Sequence, residues 1–78
     1  MPTVLRVEGF RFFFWSNERN EPAHIHVAKG DGIAKFWLRP VSLASSDGFN
    51  AVILNKLHSV VRENEALFLE KWNEYFSR

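Results

Sequence analysis

Apolar and polar residues alternate with a period of two along the first half of the chain and recur at helical spacing along the second half. Because successive side chains of a strand point to opposite faces, the first pattern predicts a series of β-strands. Glu8-Gly9 is typical of a tight turn, and Gly30-Asp31-Gly32 predicts a three-residue bulged loop. Residues 45–48 are expected to form a loop. The predicted strands are residues 3–8, residues 10–16, the two arms of a hairpin within residues 21–39, and residues 41–44.

After residue 48 the pattern becomes that of amphipathic helices. Asn50 is a good N-cap, and the apolar residues after it predict a helix that ends near Glu63. Asn64 is expected to cap a second helix. Strands first and helices last predict an α+β fold in one domain, residues 1–78. In this fold a small antiparallel sheet of four or five strands (1–44) is followed by two C-terminal helices (49–77) packed on one face.

The hairpin sorts its side chains into two rows. One row is apolar and belongs to the core: Ile25, Val27, Ala34, Phe36 and Leu38. The other row combines imidazoles, cations and an indole: His24, His26, Lys35, Trp37 and Arg39. The second strand could extend this surface with Arg11, Phe13 and Trp15; the alternative for the two aromatic residues is burial under a loop or the N-terminus. Basic groups interleaved with aromatic rings are typical of surfaces that stack bases and hold phosphates.

Composition narrows the class of protein. The chain has 78 residues, of which 46% are hydrophobic, so it can bury one core. It has no cysteine, which excludes disulfides and thiolate metal sites and fits a reducing cytoplasm. The net charge of +1 is too small to identify a nucleic-acid partner. No signal peptide is visible and the apolar runs are too short for a bilayer, so we expect a cytoplasmic protein without a membrane partner.

Two histidines separated by one residue on a strand share a face and permit three uses. His24 and His26 could chelate a transition metal if Glu21 or Asp31 supplied a third ligand. They could act as a general base and a general acid, because imidazole titrates near neutral pH. They could also donate to phosphates or stack on bases. The alternative is a plain polar role on the outer face of the strand.

The sequence contains no Walker loop, dinucleotide-binding glycine pattern, nucleophile elbow or zincin motif. We therefore expect no cofactor and no bound metal, and no second site competes with the hairpin.

Several segments resemble a family of small bacterial proteins, the domain of unknown function 4160 family. They are Met1 to Arg6, Gly9 to Phe14, Glu21 to Val27, Gly30 to Leu38, and Asn73 to Phe76. The family's Pro-x-His-x-His signature matches Pro22, His24 and His26, although Ala23 stands where a second proline is expected. The resemblance implies the toxin half of a type II toxin–antitoxin pair. It also implies a cognate antitoxin as partner, of the domain of unknown function 2442 type.

The leading hypothesis is therefore a cytoplasmic toxin that acts on RNA, as a metal-independent ribonuclease or as an RNA-binding inhibitor of translation. His24 and His26 would exchange protons with the substrate, and Lys35 and Arg39 would stabilise charge on the phosphate. Bases would stack on an aromatic surface with a neighbouring cation: Trp37, Trp15 and Arg11. Two other hypotheses are a non-catalytic module that binds a neighbour-encoded partner, and a metal-binding protein or hydrolase that uses the histidine pair.

Overall fold

A computed structural model describes residues 3–15 and 20–76 of the chain. It contains a five-stranded antiparallel sheet in the order β1-β2-β3-β4-β5, followed by two helices. The strands are β1 (Thr3–Val7), β2 (Phe10–Phe13), β3 (His24–Lys29), β4 (Gly32–Leu38) and β5 (Val41–Asp47). The helices are α1 (Ala51–Glu63) and α2 (Glu65–Phe76). The predicted α+β fold is confirmed.

Two-residue turns join β1 to β2, β3 to β4 and β4 to β5. Glu8 and Gly9 have φ angles of 52° and 86°, as both central residues of a type I′ turn require. The β3–β4 loop contains only Gly30 and Asp31, because Gly32 pairs with Lys29. The prediction of a three-residue loop is therefore wrong. Gly32 belongs to the strand, where the ring of Phe49 packs in the space that a Cβ would occupy.

Two strand predictions fail because each edge strand contains an irregularity. Strict alternation would place Thr3 on the same face as Leu5, but the β1–β2 register shifts between these two residues. β5 runs to Asp47 rather than ending at residue 44, and its register against β4 shifts between Lys35 and Phe36. Its last three residues, Ser-Ser-Asp, have weak strand propensity, and their pairing with β4 overrides it. β2 ends at Phe13, before the predicted end at residue 16, which itself lies outside the described residues.

The helices begin and end close to the predicted positions. The side chain of Asn50 accepts a hydrogen bond from the backbone N–H of Ile53, which satisfies one donor of the first turn of α1. Asn64 was expected to cap α2 with its side chain. Instead its side-chain amide donates to the carbonyl of Val60, while its backbone carbonyl accepts from the N–H of Phe68. Asn64 thus joins the two helices, which no other residue separates.

The core lies between one face of the sheet and the two helices. Every residue that alternation assigned to the core row of the hairpin is buried. α1 contributes Leu57 and Val61, and α2 contributes Phe68, whose ring stacks on Phe12 with centroids 5.5 Å apart. Near its C-terminal end α2 packs against Phe14, which follows β2. The C-terminal part of α2 therefore lies at the end of the sheet where β2 finishes and β3 starts.

Within residues 3–15 and 20–76, neither helix combines the length and the apolar character needed to cross a membrane.

Candidate functional site

The outer face of the sheet, opposite the helices, carries a row of side chains that crosses four strands. Register pairs Phe13 with His26, His26 with Lys35, and Lys35 with Ser45. Neighbouring strands lie about 4.8 Å apart, so these four side chains are next to one another across the sheet. An aromatic ring, an imidazole, an ammonium group and a hydroxyl thus share one line. The predicted gathering of His26 and Lys35 on one surface agrees with this register.

His24 lies beside this row but is fully buried. Its ring centroid is 4.9 Å from that of Trp72 in α2 and 5.7 Å from that of Trp37. Its Nδ1 lies 2.8 Å from the carbonyl oxygen of Pro22. A carbonyl oxygen can only accept, so Nδ1 carries a proton and donates it. Burial by Trp72 could not be read from strand alternation, because α2 comes from the other end of the chain.

His26 is the histidine that reaches the surface. Its side chain stacks on Phe13 with ring centroids 5.6 Å apart and meets Trp15 edge-on at 5.8 Å. Only 7% of the residue is exposed, and the exposed part lines a groove. The two imidazoles contact each other edge to face, with centroids 5.1 Å apart. Hence His26 faces the surface and His24 lies behind it.

Lys35 contacts both a carboxylate and an aromatic ring on this face. Its Nζ donates a hydrogen bond of 2.5 Å to Oε1 of Glu21 and lies 4.6 Å from the ring centroid of Trp37. Glu21 was considered as a third metal ligand beside His24, and its carboxylate oxygen is 3.8 Å from Nδ1 of that histidine. The nearer partner of that nitrogen is the Pro22 carbonyl. The carboxylate of Glu21 is therefore closer to Lys35 than to His24.

A groove of about 330 Å³ runs along the face between Trp15 and the paired strands β4 and β5. Its lining includes two apolar side chains, two basic side chains, and two polar residues of β5: Trp15, Ile33, His26, Lys35, Ser45 and Asp47. This size is at the lower end of the range for small-molecule sites. We call this feature the outer groove.

Three other predicted site residues, Arg11, Trp37 and Arg39, do not line the outer groove. Arg11 packs its guanidinium 4.4 Å from the centroid of the Phe13 ring, and its Nε donates to the hydroxyl of Thr3. Trp37 is half-buried beside Lys35. Arg39 is exposed in the turn between β4 and β5, where strand alternation no longer decides the direction of a side chain. The structure thus gathers the other predicted residues and leaves Arg39 at the turn.

Five residues that line the groove were not predicted as part of the site: Ile33, Ala34, Ser45, Ser46 and Asp47. Ser45 and Asp47 were expected in a loop, and Ile33 was not considered. The register shift in β5 hides its alternation, so the sequence pattern gave no signal for Ser45 and Asp47. Ile33 was recoverable, because it lies two residues before Lys35 in the same strand and therefore on the same face.

The metal-binding hypothesis needs a third ligand near the histidine pair. Asp31 lies in the loop at the far end of β3, about 20 Å along the strand from His24 at 3.3 Å per residue. Among residues 3–15 and 20–76 there is no group of three or more His, Cys, Asp or Glu side chains arranged to hold a metal ion.

Comparison with known proteins gives one match. The family model of a domain of unknown function, DUF4160, matches residues 9–73, which is more than half of the chain. No curated protein matches the chain, and no solved structure matches it. The matched region contains all of the outer groove and the pair His24 and His26. The chain belongs to the DUF4160 family.

Proposed function

We propose that this protein is the toxin of a bacterial type II toxin–antitoxin pair and acts on RNA in the cytoplasm through the outer groove. The toxin role and an antitoxin partner of the domain of unknown function 2442 type follow from the resemblance described above. The proposal that RNA is the target is carried by one observation. An exposed indole, an imidazole and an ammonium group line the same groove: Trp15, His26 and Lys35.

Each of these groups suits a different part of a single RNA strand. Trp15 is 39% exposed and offers a ring on which a base can stack. The ammonium of Lys35 attracts a phosphate and exchanges its surface bond with Glu21 for a charge-assisted bond to the strand. Arg39, in the neighbouring turn, supplies a cation for a phosphate farther along. The 2′-hydroxyl that distinguishes RNA is the group on which an imidazole can act.

The two histidines have unequal roles in this proposal. His26 lines the groove, so it is the group that exchanges a proton with a ribose hydroxyl or a leaving oxygen. His24 has no exposed surface and is tied to the Pro22 carbonyl, so it acts as a positioning residue that supports His26 from behind. Lys35 stabilises the charge that builds on the phosphate.

The test removes the charge of Lys35 and keeps its shape. Lys35→Met keeps an unbranched side chain of similar length and removes two contacts of Nζ, the ion pair with Glu21 and the cation–π contact with Trp37, each of which contributes at most about 1 kcal/mol. We expect growth inhibition by the chain, expressed without a partner, to fall at least tenfold, and RNA integrity to recover. Lys71→Met is the matched control, because Lys71 is an exposed lysine of α2. Equal inhibition by Lys35→Met and the wild type would contradict the proposal.

A second candidate function is a non-catalytic module that binds a neighbour-encoded protein. The complete burial of His24 favours it, because a buried side chain cannot touch a substrate. Leu43 and Val52 also expose 43% and 77% of their surface, which gives a protein partner apolar contacts. A chain that binds the neighbouring gene product tightly, yet never inhibits growth when expressed alone, would favour this function over the toxin.

A further inference from the structure

We propose that the outer groove is a subsite for one guanine base of an RNA strand and that Asp47 reads the base. This inference rests on the proposed RNA function and adds a base preference to it. It depends on three features of the groove: its apolar walls, the carboxylate of Asp47 on β5, and the two basic side chains His26 and Lys35.

The apolar walls suit a flat ring. Trp15 and Ile33 both line the groove and expose 39% and 37% of their surface, although most large apolar side chains of the sheet are buried. Base stacking on an indole contributes about 1–3 kcal/mol per base and accepts any base. A volume of about 330 Å³ leaves room for one base. Stacking explains binding of a base but not a choice among bases.

The polar groups of β5 can distinguish one base from another. Asp47 pairs with Ile33, and Ser45 pairs with Lys35, so the carboxylate and the hydroxyl lie two strand positions apart on the groove. An ionised carboxylate only accepts hydrogen bonds. Among the ion pairs within residues 3–15 and 20–76, none involves Asp47, whereas Lys35 is paired with Glu21. The oxygens of Asp47 are therefore available to donors on a ligand.

Guanine matches this acceptor better than the other bases do. Its N1–H and its 2-amino group are adjacent donors, so both oxygens of one carboxylate can accept from them. Its O6 is an acceptor beside N1, which the hydroxyl of Ser45 can satisfy as a donor. Adenine and cytosine present one amino group beside an acceptor nitrogen. Uracil presents a single N–H between two carbonyl oxygens, and these oxygens are repelled by a carboxylate.

Two basic side chains lie where the backbone of such a nucleotide would pass. His26 and Lys35 are directly opposite each other on β3 and β4, with their Cβ atoms about 5 Å apart. Both line the groove that would hold the base. A guanine stacked on Trp15 would thus bring its own ribose and phosphate to His26 and Lys35. This arrangement predicts that the chain acts next to guanine residues.

The experiment measures binding of the four ribonucleoside monophosphates to the purified full chain by calorimetry or NMR titration. We expect GMP to bind at least fivefold more tightly than AMP, CMP or UMP, as one good bidentate base contact allows. Asp47→Asn should abolish that preference, because an amide replaces one of the two acceptor oxygens with a donor. Asp31→Asn is the matched control, because Asp31 is exposed in the β3–β4 loop and does not line the groove.

Equal affinity for all four nucleotides, or a GMP preference that survives Asp47→Asn, would overturn the guanine subsite. These results are distinct from a failure of the proposed function. A chain that inhibits growth and degrades RNA without any base preference loses only the subsite. A chain that prefers GMP through Asp47 but never inhibits growth supports the subsite and removes the toxin proposal.

Discussion

Replacing His24 tests whether this residue supports the site from within the core. His24→Ala removes a fully buried ring that touches Trp37 and Trp72 and leaves the Pro22 carbonyl without its donor. A phenyl ring removed from a core costs about 3–5 kcal/mol, and the smaller, polar imidazole costs less. Adding about 1 kcal/mol for the lost hydrogen bond, we expect a total loss of about 3 kcal/mol.

Asparagine at position 24 separates the hydrogen bond from the ring. Its amide N–H can donate to the Pro22 carbonyl as Nδ1 does, so His24→Asn should be about 1 kcal/mol more stable than His24→Ala. A domain of this size has a total stability of about 4–12 kcal/mol, so both variants should fold at 25 °C. His24→Asn is therefore the suitable variant for activity assays.

Urea unfolding followed by circular dichroism measures both effects. With an m-value of about 1.5 kcal/mol/M, the midpoint should fall by about 2 M for His24→Ala and by about two thirds of that for His24→Asn. Arg39→Ala is the control, because Arg39 is exposed in a turn and its replacement should change stability by less than about 0.5 kcal/mol. A His24→Ala midpoint equal to that of the control would refute the structural role of His24.

Three further predictions concern the stability of the fold. Gly32→Ala should cost about 1–3 kcal/mol, because the new Cβ would meet the ring of Phe49, whose Cζ lies 2.7 Å from the ideal position. Asn50→Ala should cost about 1 kcal/mol in urea unfolding by removing the cap of α1. The pKa of Glu8 is lowered by the hydrogen bond and then by the charge of Lys56, so the stability that this pair contributes should be lost as the pH falls through 4.5 and below. Glu8→Gln should therefore show a flatter pH dependence of unfolding than the wild type.

Each of these predictions has its own control. Phe49→Ala should relieve the clash, so the cost of Gly32→Ala should shrink in that background, and an undiminished cost would contradict the packing argument. Asn55→Ala replaces an exposed asparagine inside α1 and should be neutral or stabilising, whereas equal losses at positions 50 and 55 would argue against capping. Parallel pH profiles for Glu8→Gln and the wild type would show that the ion pair does not matter.

The sequence was sufficient where local physics decides the structure. Period-two alternation separated Ile25 and Val27 from His24 and His26, because strand geometry fixes the faces whatever the rest of the chain does. The start of α1 followed from Asn50, since an N-cap acts within one turn. These elements predicted the fold and brought most of the candidate residues to one face.

The sequence was insufficient where distant segments meet. His24 is buried because Trp72 of α2 covers it, and no local pattern encodes that contact. The groove needs Ser45 and Asp47, whose strand continues through a register shift that breaks the alternation. The ion pair of Lys35 with Glu21 also depends on how the segment before β3 folds back. Long-range packing and irregular registers thus account for what the pattern missed.

The central claim is that RNA binds in the outer groove, and the three tryptophan indoles can report on it directly. Trp15 lines the groove, Trp37 lies beside Lys35, and Trp72 of α2 is buried against His24 and Phe14. Their indole N–H signals should be followed by ¹H–¹⁵N NMR while a short guanine-containing single-stranded RNA is added. We expect a large shift for Trp15, a smaller one for Trp37 and none for Trp72. An unchanged Trp15 signal at saturating RNA would contradict the claim.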